Sequence, residues 1–321
     1  MSAGGQILVL AGGVGGAKLA LGLAMTMEAE KLVVAVNTGD DFEHLGLYIS
    51  PDLDTVMYTL AEMNNQETGW GIAGESWNFM DALAGFGGET WFKLGDRDLA
   101  THVERTRRLR AGEALSDITE NMCSRLGIAC AVIPMSDGPV RTIVETATGD
   151  RLPFQDYFVR LACGPEVAGF TFDGADRAEP APALAKMLGG NSIGAMIICP
   201  SNPYVSIAPM LAITAFDAFI KTRKIPIAAV SPIVGGMAIK GPAAKMMAEL
   251  GVEISALGIA RHYAGLIDGI VIDEADRDLL QPIEELGIKV LVTNTIMRDL
   301  KSKSRLAEQT VDFARGLEIT V

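Results

Sequence analysis

The sequence predicts an α/β protein: a Rossmann-like, doubly wound, mainly parallel sheet that carries a largely helical insertion and a β-hairpin insertion. Two observations predict it. Short, β-branched, unbroken apolar runs recur and stop in polar or glycine-rich loops, as strands buried on both faces do. Helical stretches alternate with them, which sets successive strands parallel.

In chain order, QILVLAGG (6–13) is the first strand and loop, followed by the helical GAKLALGLAMTME. KLVVAVNTGDD (31–41) is the second, followed by PDLDTVMYTLAEM. Residues 55–127 read as a mostly helical insertion and hold Trp70, Trp77 and Trp91. In 140–160, VRTIVETATGDRLPFQDYFVR alternates about Thr148-Gly149-Asp150 as a β-hairpin does. The core resumes with AMIICPSNP (195–203), PIAAVSPIVGG (226–236), a helix in GPAAKMMAELG, GIVIDEAD (269–276), KVLVTNT (289–295) and a helix near 297–316. Ligands of such sheets bind beyond the carboxyl ends of the strands, so these loops are expected to share one cleft with the insertions as a cap. No linker divides the chain, and residues 1–321 are expected to form one α/β domain.

Composition narrows the partners. A formal charge of −13 and a pI near 4.7 argue against nucleic acid, which is bound by basic surfaces. The basic stretch ERTRRLR (104–110) is interrupted by Glu104, Thr106 and Leu109 and reads as the solvated face of a helix. The amino terminus lacks a cationic leader and no run approaches the roughly 18 apolar residues of a membrane span, so a cytoplasmic protein without a membrane partner is expected. Cys123, Cys130, Cys163 and Cys199 form no CxxC pair and read as small buried residues. His44, His102 and His262 are scattered without a zinc pattern, so any metal should be oxygen-ligated. A mean hydropathy of +0.27 leaves apolar surface for a homodimer.

The chemistry lies in the loops. LAGGVGGAKLA fails as a dinucleotide fingerprint, because with Gly13 and Gly15 in the first two glycine places Lys18 occupies the third, and Asn37 stands where a ribose-binding acid belongs. It fails as a Walker loop because Lys18 is followed by Leu19 and no hydroxyl is available for magnesium. What survives is a strand-to-helix turn of Gly12, Gly13, Gly15 and Gly16 whose amides can hold a phosphate, with Lys18 and Asn37 as further nucleotide-side candidates.

NTGDDFEHLG and SPDLDT bring Asp40, Asp41, Asp52 and Asp54 to the next strand end. Asp52 reads as a helix cap, whereas Asp54 with Asp40 or Asp41 can hold Mg²⁺, which takes one or two protein carboxylates. Asp54 could equally orient a hydroxyl nucleophile or take its proton. In WFKLGDRDLATH (91–102), Lys93 suits a phosphate or a heterocycle carbonyl and Arg97 a bidentate phosphate contact, with an Asp–Arg surface network as the alternative. PSNP (200–203) presents Ser201 and Asn202, and SPIVGGMAIKGPAAK (231–245) adds a second glycine loop with Lys240. So many polar strand ends in one cleft favour a binding site.

Taken in order, GGVGGAKLA, NTGDDFEHLG, SPDLDTVMYTL, WFKLGDRDLATH, RLRAGEALSDIT, PMSDGPVRT, FQDYFV, PSNP, SPIVGG and KGPAAKMM resemble the CofD-type 2-phospho-L-lactate transferases of deazaflavin coenzyme F-420 biosynthesis, over nearly the whole chain. The resemblance implies a Mg²⁺-dependent enzyme. It would move a phosphorylated three-carbon acid (phospholactyl, enolpyruvyl phosphate or phosphoglyceryl) from its GDP adduct to the terminal ribityl hydroxyl of the deazaflavin Fo, releasing GMP. A separate guanylyltransferase would supply the donor. Carried over by motif, Asp54 and Lys93 match the Fo-contacting aspartate and lysine, and the glycine turn with PSNP would lie against the guanosine nucleotide. On this reading Asp54 and Asp41 are the expected catalytic carboxylates. Asp96 and Arg97 join Asp54 and Lys93 around Fo, and Asp40, Asp41 and Asp54 hold the metal. Val14 stands where the family commonly has Thr, and Gly138 where it commonly has an acid. A noncatalytic nucleotide-sugar-binding regulator of the same superfamily and an NAD-dependent oxidoreductase are the alternatives. WFKLGDRDLATH and SPDLDTVMYTL favour the transferase.

Overall fold

The structure is a computed structural model that describes residues 5–319. Strand β1 (Gln6–Ala11) shows why a continuous apolar run was needed: Ile7, Val9 and Ala11 enter one core, Leu8 and Leu10 the other, and all five are fully buried. Strand β2 (Leu32–Val36) pairs with it in parallel, Val9 opposite Val34, and divides its side chains in the same way. A short hairpin follows, β3 (Phe42–His44) and β4 (Leu47–Ile49). The main sheet continues with β5 (Ala131–Pro134). A small antiparallel sheet is then made by β6 (Arg141–Thr146), β7 (Arg151–Pro153) and β8 (Val167–Asp173). Strands β9 (Ile193–Ile198) and β10 (Ile227–Val230) return to the main sheet. The hairpin β11 (Ile233–Val234) and β12 (Met237–Ala238) precedes the last main strands, β13 (Gly269–Ile272) and β14 (Lys289–Val292).

The seven-stranded sheet has the order β14-β13-β10-β9-β1-β2-β5, and its pairs are parallel throughout. The expected doubly wound sheet is therefore present. The direction of winding reverses between β1 and β9, so the loops after these two strands diverge there and open a crevice. Strand β5 was missing from the sequence reading. It has four residues, ends in Pro134 and is half-exposed at the sheet edge, so it carries little of the apolar signal that marks the inner strands.

Helix α1 (Gly13–Thr26) packs against the sheet beside α2 (Pro51–Leu60) and the carboxyl-terminal helix Leu300–Gly316. Leu53, Val56 and Met57 place α2 in this same layer, so only the chain beyond it departs from the sheet-and-helix plan. That chain forms a strap, then α3 (Asn78–Gly85) and α4 (Asp98–Arg110), around a small core of Ile49, Met80 and Leu94. Helix α5 (Leu115–Arg125) leads back to β5 through Leu115 and Cys123. In 140–160 the hairpin β6–β7 turns at Gly149, whose φ of +89° suits glycine. Residues Asp156–Arg160 coil into a helical turn, and β8 adds a third strand that the sequence reading did not include. All four cysteines are unpaired. Among the described residues no single helix is long and apolar enough to cross a membrane.

Candidate active site

A cavity of about 920 Å³ opens at the carboxyl ends of β1 and β9. One end is made mainly of backbone. Helix α1 has Gly12 at its N-cap with no side chain to cap it, so its first amides need other acceptors. The Gly12 amide donates to Ser201 Oγ at 3.1 Å, and Ser201 Oγ donates back to the Gly12 carbonyl at 2.8 Å. The Gly13 amide donates to Asp52 Oδ1 at 2.8 Å. By helix geometry the next two, of Val14 and Gly15, have no acceptor one turn back in the helix, and both residues lie on the cavity wall. A Cβ at Gly15 would stand 2.2 Å from the Pro200 carbonyl oxygen, so the turn and the PSNP loop can approach only through glycine. Lys18 lies on the same wall, held below its usual range by burial and, more weakly, by the positive charges of Lys240 and Lys303. Among the described residues no carboxylate pairs with it. This end is poised for an anion.

The other end is made of side chains from distant elements. Asp54, on the first turn of α2, is gripped by the guanidinium of Arg105 from α4: Nη1 donates to Oδ2 at 3.0 Å and Nη2 to Oδ1. Arg105 is 1% exposed. His102, one turn earlier on α4, lies between carboxylates, with Nδ1 3.7 Å from Asp54 Oδ2 and Nε2 3.3 Å from Asp98 Oδ2. Neither ring nitrogen has a geometrically acceptable hydrogen bond. The Tyr58 hydroxyl donates to Asp98 Oδ1 at 2.6 Å. Asp40 also lines the cavity, and burial together with the charge of Asp52 raises it well above the carboxylate range. Its Oδ1 is buried and has no hydrogen-bond partner among the described residues.

Aromatic rings close this end. Trp91 and Phe92 form a wall with Phe42 and His44 behind them, the Phe42 and Phe92 centroids 4.9 Å apart edge to face. Phe154 and Phe158 stack at 5.4 Å, and Phe158, Trp70 and Lys93 lie on the cavity wall with them. A flat heterocycle with a polar edge suits such a slot.

Gly12, Gly13, Gly15, Lys18, Asp40, Asp52, Asp54, Lys93, Ser201, Asn202 and Lys240 share the cavity wall; Gly16, Asn37, Asp41, Asp96 and Arg97 do not. Asn37 is fully buried: its Nδ2 donates to Asp52 Oδ2 and the Val205 carbonyl, and its Oδ1 accepts from the Gly39 amide. It braces Asp52 instead of facing a nucleotide. Gly16 lies behind the wall against Ser201, where a Cβ would come within 2.7 Å of Oγ. Asp41 turns away from the cavity and accepts from Ser50 Oγ at 2.9 Å, and burial pushes its carboxyl up to about 7. It is therefore not gathered with Asp40 and Asp54 in a three-carboxylate cluster. Asp96 accepts from Ser76 Oγ, the Asn78 and Phe79 amides and Asn78 Nδ2, bonds that hold it down to about 2 and cap α3. Arg97 donates to the Ala73 carbonyl. Both brace the insertion. Asp52, read as a helix cap, instead ties α2 to the glycine turn and the β2 end.

The basic stretch 104–110 hides Arg105 among solvated charges, and nothing in the residues beside them marks His102 or Asp98. The missed signal was helical spacing: Asp98, His102 and Arg105 fall at i, i+4 and i+7 on one face of α4, opposite the exposed Arg107.

The crevice of a doubly wound sheet, with a turn suited to an anion at one end and a carboxylate and aromatic slot at the other, is an arrangement that fits a group-transfer enzyme. A family model for the 2-phospho-L-lactate transferase CofD matches residues 7–306, and the chain belongs to that family of transferases. It is 40% identical to the phosphoenolpyruvate transferase of Streptomyces griseus, covering 96% of this chain and 98% of the other. It is 37% identical to the 2-phospho-L-lactate transferase of Methanocaldococcus jannaschii, covering 97% and 99%. A solved upf0052-family protein of Bacillus halodurans has the same fold, with a TM-score of 0.62 at 12% identity over 96% of this chain and 98% of that one.

Proposed function

We propose that the chain moves a phosphorylated three-carbon acid from its GDP adduct to the terminal hydroxyl of Fo, releasing GMP, in coenzyme F-420 biosynthesis. The observation that carries this reading is the polarity of this cavity: first-turn amides and a lysine without a carboxylate partner among the described residues at one end, a braced aspartate within an aromatic slot at the other. The diphosphate of the donor lies along the glycine turn and Lys18, and the deazaflavin stacks in the slot with Lys93 at its polar edge. The hydroxyl oxygen attacks the phosphorus that bears the three-carbon acid. The bond from that phosphorus to the bridging oxygen breaks, and its electron pair leaves with GMP. Asp54, its orientation fixed by Arg105, aims the hydroxyl and accepts its proton.

Magnesium fits the residues present. Asp40 offers a hard, buried oxygen without a hydrogen-bond partner on the wall that also carries Asp54. When bound, the ion would neutralise charge developing on the phosphates. Among the described residues one group of three potential ligands lies within 4.8 Å, Asp54, Asp98 and His102. Arg105 donates to both oxygens of Asp54 and Tyr58 to one of Asp98, which leaves Asp40 as the preferred first ligand.

Mass spectrometry of reactions containing Fo, GTP, one of the three phosphoacids and a guanylyltransferase tests the reading. A Fo phosphodiester and GMP are expected; no product with any acid, together with no change in Fo fluorescence on titration, would sink it. The acid that gives product names the three-carbon unit, since the candidates differ by one or two small groups. We also take the protein to be a cytoplasmic homodimer. The apolar composition of the chain, mean hydropathy +0.27, is what supports association.

A further inference from the structure

Two surface loops meet above the glycine turn. The first is a strap over residues 64–72, closed on itself by an antiparallel bridge between Asn64 and Ile72 and by the Asn65 amide donating to the Gly71 carbonyl at 3.0 Å. Gly69, with φ +83°, lies directly on the turn: a Cβ there would be 2.7 Å from Val14 Cγ1 and 3.2 Å from Lys240 Nζ. The second loop follows β12 and carries Lys240. Its ammonium donates to the carbonyls of Glu67 at 3.2 Å and Thr68 at 2.9 Å, and so links the two loops.

An ammonium has three donors, and the strap takes two. Lys240 also lies on the cavity wall, close enough to Lys18 for the two positive charges to oppose each other. By itself that repulsion works against the closed strap. An anion between the lysines removes it and can accept the third N–H, so closure and anion binding favour each other. We propose that Lys240 is a ligand to the donor's diphosphate and, by holding the strap carbonyls with the same ammonium, couples donor binding to closure of the strap. This rests on the transferase reading and assigns its nucleotide side a residue from outside the glycine turn. Trp70, 47% exposed on the strap, is part of the same cavity wall, so ordering of the strap also bears on the acceptor's side.

Hydrogen exchange of the peptide spanning residues 64–72, measured on the full chain with and without GDP, tests the coupling, with GDP affinity from calorimetry. In the wild type GDP should slow strap exchange about 5-fold or more. Lys240→Met should bind GDP roughly tenfold more weakly and lose the GDP-dependent slowing, while Lys240→Arg keeps part of both. GDP binding with no change in strap exchange would overturn the proposal, as would slowing that persists in Lys240→Met. A wild-type protein that binds neither GDP nor Fo would overturn the transferase reading along with it.

Discussion

The two ends of the cavity solve the same problem, holding polar groups in a partly dry place, by opposite means. At the glycine turn the polar groups are backbone amides, pre-oriented by the helix and enabled by what is absent, a Cβ at Gly12 or Gly15. At the far end they are charged side chains drawn from α2 and α4, and each is held by another: Asp54 by Arg105, Asp98 by Tyr58. The first arrangement is local and tolerant of its surroundings. The second is a buried network, in which removing one member leaves another charge without its partner.

The comparison can be broken most directly at Arg105. Arg105→Met strands the Asp54 carboxylate in the interior and should cost about 3–5 kcal/mol in urea unfolding. A loss well under 1 kcal/mol would show that water reaches Asp54 and that the two ends do not differ in kind. Asp54→Asn comes next: turnover should fall by about 100-fold or more, while GDP affinity stays near the wild-type value. It also leaves Arg105 half-satisfied, at a stability cost of about 1–3 kcal/mol, so turnover must be normalised to folded protein. Normal turnover would remove Asp54 from the chemistry.

Gly15→Ala tests the backbone end. With its Cβ directed at the Pro200 carbonyl, the turn must shift, and GDP affinity should fall roughly tenfold, about 1.4 kcal/mol, with the Fo fluorescence titration unchanged. An effect on Fo instead would mean that the ends are mechanically one unit. The smallest effect belongs to Arg107→Ala, two residues from Arg105 but paired, among the described residues, with the exposed Glu104. Its unfolding midpoint should match the wild type. A clear drop would mean that ERTRRLR acts as one structural block.

The same division explains what could be read in advance. Strands β1, β2, β9, β10 and β13 announce themselves because burial on both faces demands apolar side chains at nearly every position, a constraint each segment satisfies alone, and the edge strand β14 keeps a short apolar run although it is only partly buried. The glycine turn is legible for a related reason: helix start, missing Cβ and strand end are contiguous. Strand β5 and the third strand β8 are weakly marked, since partly exposed strands owe their pairing to neighbours far along the chain.

Which charged residues face the cavity was not a local matter. Asp40 and Asp41 are adjacent and chemically identical, yet one lines the cavity and the other bonds Ser50; Asp96 and Asp98 part in the same way, one capping α3 and the other meeting Tyr58 and the cavity. The sequence by itself determined the doubly wound sheet, the phosphate-suited turn and the acidic, aromatic character of the loops, because periodicity and backbone geometry act over a few residues. The tertiary structure decided that Arg105 holds Asp54, that Asn37 is a brace and that Lys240 reaches the strap, because burial and charge pairing depend on groups brought together from 51 residues apart in the first case and over 170 in the last.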